Sequence, residues 1–139
     1  MDLAGMTGNA ALQETDKESL GKQKRQCRKD IVPQVIHFIS TIETEELRSL
    51  KIFELSRRFN INASFLSRTF KARRKCTLCE FIQREKIRRA VVLLQREESW
   101  PIKKLAVYLG FSSTEYFIRT FKKRIGVPPH RYRQYISNY

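Results

Sequence analysis

The sequence predicts an all-α protein made of two three-helix helix-turn-helix subdomains joined by one long linker helix, about seven helices in all. Three observations support this prediction. Apolar residues recur at the spacing of a helix, and no segment alternates apolar and polar residues as a strand would. Capping boxes mark helix starts. One segment occurs twice, each time with the run R-T-F-K.

The chain divides into a tail and one folded domain. Residues 1–29 are polar and lack periodicity, which predicts a disordered tail or the remnant of a linker. We expect residues 30–139 to form a single folded domain, because helical periodicity begins at this point of the chain. Its parts are predicted as a first subdomain at 30–75, a linker helix at 77–95 and a second subdomain at 100–139.

The first subdomain is predicted to hold three helices. Asp30 can cap the first of them, and its apolar side chains follow at helical spacing: Ile31, Val35, Ile39 and Ile42. Two further helices are expected at about 52–59 and 63–74. The last of these should bury Phe70 together with either Phe65 or Leu66.

The linker helix begins at a T-x-x-E capping box. In such a box the side chains of Thr77 and Glu80 each accept a hydrogen bond from the backbone amide of the other residue. Apolar residues then continue at helical spacing to about Gln95. At roughly 1.5 Å per residue this helix spans about 27 Å.

The second subdomain has equally clear boundaries. Pro101 stands where a helix can start, and Gly110 stands where that helix should stop. Residues 112–115 read S-S-T-E, a second capping box with Ser112 as its capping residue. Pro128-Pro129 opens the last helix.

The repeated segments have the layout of a helix-turn-helix. Residues 55–71 match residues 105–122, and the second copy has one extra residue after the turn. Ser56 and Ala106 are small, so a second helix can approach closely at these points. Each segment also places a polar helix face opposite its apolar one, free to enter a major groove.

The turns inside the two copies also agree. A residue that accepts positive φ is needed in each turn, and Asn60 and Gly110 both do so. A capping residue follows, Asn62 in the first copy and Ser112 in the second. A single such segment would be weak evidence, because ordinary helical hairpins look similar. Two copies in one basic chain favour a DNA-binding protein.

The charge points to a polyanionic partner. The chain carries 28 Lys and Arg against 14 Asp and Glu, a net charge of +14, of which +12 lies in residues 30–139. Nucleic acid is the expected partner, with an acidic membrane surface or a merely soluble basic protein as alternatives. No apolar stretch reaches the ~18 residues of a membrane span, and no signal peptide is visible, so a cytoplasmic location is expected.

The cysteines predict neither a disulfide framework nor a metal site. Cys76 and Cys79 form a C-x-x-C without a second pair, and only Cys27 and His37 could complete a set of four ligands. An enzyme with a cysteine nucleophile would lack a convincing base, because His37 and His130 lie in different helices. We therefore expect no enzyme activity, no metal and no cofactor.

Residues 32–133 resemble the DNA-binding domain of AraC/XylS transcription regulators. The resemblance rests on the residues from Ile102 to Arg133. They read I-x-x-L-A-x-x-x-G-F-S-x-x-x-Y-F-x-R-x-F-K-K-x-x-G-x-x-P-x-x-Y-R. The resemblance implies binding to double-stranded promoter DNA and activation through contact with RNA polymerase. The chain then resembles either a short stand-alone regulator or the C-terminal part of a longer one, and no small-molecule effector domain is expected within it.

The sequence departs from the family pattern in its first half. The family usually has glycine where Lys75 stands, so we expect that turn to be reshaped. The basic residues of the linker helix are expected to form a solvated face or a partner-binding surface rather than to contact DNA. These residues are Arg84, Lys86, Arg88 and Arg89.

Side chains on the first turns of each recognition helix should face the base edges. The candidates are Ala63, Ser64, Ser67, Arg68, Ser113, Thr114, Glu115, Ile118 and Arg119. Arg68 and Arg119 suit guanine, with a phosphate contact or a structural ion pair as the alternative. Glu115 suits cytosine, although as a member of a capping box it is more readily expected to fold back on Ser112.

Phosphate contacts are expected from groups that flank the recognition helices. The candidates are Asn62, Lys71, Arg73, Arg74, Lys75, Lys103, Lys104, Ser112, Lys122, Lys123 and Arg124. The function predicted is a sequence-specific regulator that reads two successive major grooves. The alternative is a non-specific architectural protein, whose affinity would follow salt concentration with little dependence on sequence.

Overall fold

The structure, a computed structural model, describes residues 31–96 and 99–138. Every regular element in these ranges is an α-helix, which confirms the predicted fold class. The helices are α1 (Ile31–Thr41), α2 (Thr44–Leu47), α3 (Ile52–Arg58), α4 (Ala63–Arg74), α5 (Leu78–Arg96), α6 (Ile102–Tyr108), α7 (Thr114–Ile125) and α8 (Pro129–Ser137). The tail predicted for residues 1–29 and the cap predicted at Asp30 lie outside the described residues.

Two apolar cores lie on either side of the middle of the linker helix α5. The first is built from α1 to α4, and its fully buried residues include Leu55, Leu66 and Phe70. The second is built from α6 to α8 and centres on Phe117 and Phe121, which pack edge to face with ring centroids 5.9 Å apart. Each such side chain contributes roughly 1.5–3 kcal/mol on burial.

Helix α5 supplies residues to both cores. Leu78 and Ile82 from its first turns belong to the first core, whereas Ile87, Ala90 and Leu94 belong to the second. The two helix-turn-helix units therefore share one continuous helix as part of their interiors. That arrangement couples their positions through a rigid element.

The predicted capping box at the start of α5 is confirmed. The backbone amide of Glu80 donates to Thr77 Oγ1, and the amide of Thr77 donates to Glu80 Oε2, both at 3.1 Å. These two bonds satisfy amides that the first helical turn leaves without partners. They explain why the helix begins at Leu78.

Helix α2 was not predicted. Its four residues are too few to show a helical period, although Glu45 and Glu46 in the first turn suit the positive end of a helix. Leu47 anchors it in the first core, where it is fully buried. Tertiary packing therefore decides that this short segment is helical.

Candidate nucleic-acid interface

The first helix-turn-helix is formed by α3 and α4. Asn60 takes the positive φ predicted for the turn, +50°, and the amide of Ile61 donates to the carbonyl of Ser56 at 2.9 Å. Asn62 caps α4 as predicted, because its Oδ1 accepts from the amides of Ser64 and Phe65 at 2.9 and 3.1 Å. These local bonds fix the residue at which the recognition helix α4 begins.

The second helix-turn-helix, α6 and α7, repeats this geometry. Gly110 has φ +81°, and the amide of Phe111 donates to the carbonyl of Ala106 at 3.0 Å. This bond corresponds to the one between Ile61 and Ser56 in the first unit. The internal repeat of the sequence is therefore a repeat of backbone hydrogen bonding.

The cap predicted for α7 was wrong by one residue. Ser113, not Ser112, is the capping residue, and its Oγ accepts from the amide of Tyr116 at 3.1 Å. The extra residue of the second copy lengthens the turn, and the helix begins only at Thr114. Glu115 therefore occupies the second helical position instead of the third, and it makes no hydrogen bond to Ser112.

The turn after α4 also differs from the expectation. Lys75 was expected to reshape it, yet Lys75 itself adopts the left-handed conformation at φ +61°. Its amide donates to the carbonyl of Lys71 at 2.9 Å, just as the amide of Gly126 donates to Lys122 at 2.8 Å after α7. The turn keeps its geometry, and the lysine adopts a conformation that usually favours glycine.

The predicted base-contacting residues lie on α4, on α7 and at the residue that caps α7. Ser64, Arg68, Ser113, Glu115 and Arg119 are exposed. The other four are half-buried: Ala63, Ser67, Thr114 and Ile118. None of the nine is buried, so this surface is open to a ligand.

Arg68 and Arg119 occupy equivalent positions in the two R-T-F-K runs. Arg68 Nε donates to the carbonyl of Ser64 at 3.3 Å, and the guanidinium of Arg119 lies 5.6 Å from the ring centre of Tyr116. Within residues 31–96 and 99–138 neither arginine forms a salt bridge with an acidic side chain. The structural ion pair considered as their alternative role is therefore not formed there.

The predicted phosphate-contacting residues are all exposed. They comprise Asn62, Lys71, Arg73, Arg74, Lys75, Lys103, Lys104, Ser112, Lys122, Lys123 and Arg124. Arg74 and Lys104 also contact aromatic rings: the Arg74 guanidinium lies 5.8 Å from the ring centre of Phe81, and the Lys104 ammonium lies 4.0 Å from that of Trp100. Three cations lie in the last turn of each of the helices α4 and α7, where positive charge suits the negative end of the helix dipole.

The linker-helix cations do not form the common face that the sequence predicted. Arg84 and Arg88 are exposed, but Lys86 is buried and Arg89 is half-buried. Arg89 NH1 and NH2 donate to Thr44 Oγ1 and to the carbonyl of Ile39, each at 3.2 Å. Burial lowers the pKa of Lys86 below the usual value for lysine. These two side chains serve the packing of the protein.

Two hydrogen bonds that link the second unit to α2 and α5 could not be predicted from the sequence. The hydroxyl of Tyr108 donates to Glu45 Oε1 at 3.1 Å, and Gln83 Nε2 donates to the hydroxyl of Tyr116. The partners are 63 and 33 residues apart, so no local pattern could have paired them. Burial and contact with Glu45 raise the pKa of Tyr108.

The structure describes Cys76 and Cys79, the two members of the C-x-x-C. Cys76 is buried and Cys79 is exposed, and both are free thiols. In the part of the chain that the structure describes, no three metal-ligating side chains come together.

Within residues 31–96 and 99–138, no helix combines the length and the apolar character needed to cross a bilayer.

Comparison with known proteins agrees with this geometry. A family profile described as a helix-turn-helix domain matches residues 55–135. The multiple antibiotic resistance protein MarA of Escherichia coli is 34% identical over 99 residues, which cover 70% of this chain and 77% of MarA. PqrA of Proteus vulgaris, a probable transcription factor, is 28% identical over 105 residues, covering 76% of this chain and 84% of PqrA.

Longer relatives contain the same domain. The helix-turn-helix regulator YfiF of Bacillus subtilis is 35% identical over 108 residues, which cover 72% of this chain and 34% of YfiF. The chain thus spans about a third of that relative.

Solved structures share the fold. The C-terminal domain of AraT, a response regulator from Geobacillus stearothermophilus, superposes with a TM-score of 0.64 at 25% identity, covering 75% of this chain and 84% of that domain. The DNA-binding domain of AdpA, solved with a target DNA, has a TM-score of 0.61 at 18% identity, covering 71% of this chain and 89% of that domain.

Proposed function

Because the chain belongs to the AraC/XylS family of DNA-binding transcription regulators, we propose that it binds promoter DNA sequence-specifically and reads two successive major grooves with α4 and α7. The bound protein activates transcription through contact with RNA polymerase. It acts in the cytoplasm, on the nucleoid. The chain is a regulator and not an enzyme.

One observation carries the proposal. Arg68 and Arg119 stand at equivalent positions of a repeated unit, both are exposed, and neither is paired with an acid in the described residues. A guanidinium held in this way is free to form the bidentate bond to guanine that is common in major-groove recognition. A protein that only coats DNA needs charge but no such repeated docking geometry.

The proposal assigns different roles to the two sets of candidate residues. Side chains on the exposed faces of α4 and α7 read bases, with Ser64 and Arg68 in one groove and Thr114 and Arg119 in the next. The flanking cations neutralise phosphates and set the register on the duplex. Glu115 is free to accept a hydrogen bond from cytosine, since Ser113 caps the helix without it.

The direct test is selection of bound sites from random duplexes with the full chain. Two conserved blocks about ten base pairs apart are expected, because that spacing brings two successive major grooves to one face of the DNA. Selection repeated with Arg68→Ala and with Arg119→Ala should weaken a different block in each case. Recovery of no conserved block would contradict the proposal and indicate non-specific binding.

Activation is tested separately. Transcription in vitro from a promoter that carries the selected site should increase on addition of the protein. The control is the Arg119→Ala variant, added at a concentration at which it does not occupy the site. It should leave transcription unchanged. A decrease in transcription at an occupied site would indicate a repressor and contradict the activation part of the proposal.

A further inference from the structure

The two halves of the protein meet at the turn of the second helix-turn-helix. The carbonyl oxygen of Arg48, the residue that ends α2, accepts a hydrogen bond from Lys86 Nζ at 3.4 Å. The ammonium of Lys86 also lies 5.7 Å from the ring centre of Phe111, which follows Gly110 in the turn. A β-carbon on Gly110 would lie only 2.1 Å from the same carbonyl oxygen. The backbone of the first half therefore rests directly on this turn.

A second polar link lies close to the first along the chain. Tyr108, at the end of α6, donates a hydrogen bond from its hydroxyl group to the carboxylate of Glu45 in α2, with the oxygens 3.1 Å apart. Helix α2 thus contacts the second unit through the side chain of Glu45, and the residue that caps its end, Arg48, does so through its backbone. We call the contact formed by Glu45, Arg48, Lys86, Tyr108 and Gly110 the interdomain joint.

Backbone conformation alone does not explain why position 110 is glycine. The equivalent turn of the first unit has Asn60 at φ +50°, and Lys75 adopts φ +61°. This chain therefore accommodates side chains at positive φ where space allows. Gly126 has φ +100° but nothing within 4 Å of an added β-carbon, whereas Gly110 faces the Arg48 backbone. Close approach of the two halves is the feature specific to Gly110.

We propose that the interdomain joint holds the two helix-turn-helix units at one fixed angle and thereby determines which spacing between the two DNA blocks the protein accepts. Two linked binding modules strengthen each other only when both can engage at once, so a fixed angle favours one spacing. The partly buried ammonium of Lys86 fits this role, because polar contacts removed from water can specify an arrangement without adding stability. The DNA consequence rests on the proposed function, but the fixed angle does not.

The fixed angle is tested without DNA. Residual dipolar couplings of the backbone amides in the full chain report whether both units share one alignment tensor. We expect one shared tensor for the unmodified protein and for Gly126→Asn, which adds the same side chain at positive φ in open space. Gly110→Asn should give two different tensors or a changed angle between the units. A shared, unchanged tensor in Gly110→Asn would overturn the proposal.

The choice of spacing is tested with a series of duplexes that carry the two selected blocks at separations changed by one base pair in either direction. The unmodified protein and Gly126→Asn should prefer one spacing, whereas Gly110→Asn should lose at least about tenfold of that preference. Affinity for a duplex that carries only the block read by α4, which Gly110 does not help to position, should stay within about threefold. Equal preference in Gly110→Asn and Gly126→Asn would overturn the proposal.

A variant without added atoms guards against misfolding of Gly110→Asn. Lys86→Met combined with Tyr108→Phe removes both polar links while keeping the volume of the side chains. It should also broaden the accepted spacings and separate the two tensors, and an unchanged angle and spacing would overturn the proposal. If the unmodified protein selects no DNA sequence at all, the proposed function fails while the dipolar couplings still decide the fixed angle.

Discussion

Arg89 is bound to Glu85, one turn earlier in the linker helix, with Nε donating to Oε1 at 3.1 Å. The two side chains are only 12% and 7% exposed. The same guanidinium donates to the carbonyl of Ile39 and to the hydroxyl of Thr44. A single charged pair therefore attaches α1 and the start of α2 to the helix that both units share.

Loss of Glu85 should be strongly destabilising. Glu85→Ala leaves Arg89 with a poorly solvated charge and no acidic partner, and we expect a loss of about 3 kcal/mol in the free energy of unfolding. Arg88 also pairs with Glu85, but its side chain is 59% exposed, so Arg88→Ala should cost less than about 1 kcal/mol. Urea unfolding followed by circular dichroism measures both variants. Equal losses would contradict the assignment of Arg89 as the structural partner.

Replacement of Lys86 should change how stability depends on pH. Burial lowers the pKa of its ammonium below 10.5, so between the folded pKa and 10.5 the unfolded chain binds more protons here, and this site's contribution to stability rises with pH. Lys86→Met should therefore be at least as stable as the unmodified protein near neutral pH, and any advantage should shrink as the pH rises toward 10.5.

Urea titrations at several pH values measure this difference. Lys103→Met, at an exposed position of α6, controls for the loss of one positive charge. A Lys86→Met advantage that stays constant or grows as the pH rises toward 10.5 would contradict the prediction, and so would a Lys86→Met protein that is less stable near neutral pH.

The cap of α7 can be assigned by a pair of adjacent serines. Ser113→Ala removes the acceptor of the Tyr116 amide and should cost about 1 kcal/mol. Ser112→Ala alters an exposed side chain that does not cap the helix, and it should change stability by less than about 0.5 kcal/mol. Thermal unfolding of both variants is the measurement. A larger loss of stability for Ser112→Ala would show that Ser112 is the capping residue, as the sequence predicted.

The left-handed conformation of Lys75 predicts an unusual order of substitutions. Lys75→Gly should be more stable than Lys75→Ala by about 1 kcal/mol, because a β-carbon is strained at φ +61°. Within helix α4 the order should reverse, and Ala72→Gly should cost about 1 kcal/mol. The melting temperatures of the three variants, each compared with that of the unmodified protein, measure these differences. If alanine were preferred at both positions, the turn would not have the geometry described.

Arg119 and Lys122 should affect DNA binding in different ways. Arg119→Ala should relax the preference at one base position by about 1–3 kcal/mol. Lys122→Ala should weaken binding to specific and random duplexes about equally. It should also lower by about 1 the slope of the logarithm of the binding constant against the logarithm of the salt concentration. Fluorescence anisotropy at several salt concentrations, with selected and scrambled duplexes, separates the two effects. An equal loss on both duplexes for Arg119→Ala would exclude the base contact.

Features decided by neighbouring residues could be predicted from the sequence alone. The helices other than α2, the positive φ at Asn60 and Gly110, and the caps at Asn62 and Thr77 show local patterns that span only a few residues. The repeat and the family resemblance added the double helix-turn-helix arrangement and the regulator class. The capping error at Ser112 amounts to one residue, because two adjacent serines offer the same chemistry and the length of the turn selects between them.

Only the tertiary structure decided what the charged residues of the linker helix do. Lys86 and Arg89 look like surface cations in the sequence, yet their burial depends on α1, α2 and the second turn packing around α5. The contact of Gly110 with Arg48 likewise joins residues 62 positions apart. The desolvation of a charge and the closeness of two backbones are properties of the assembled chain, so no local pattern of residues encodes them.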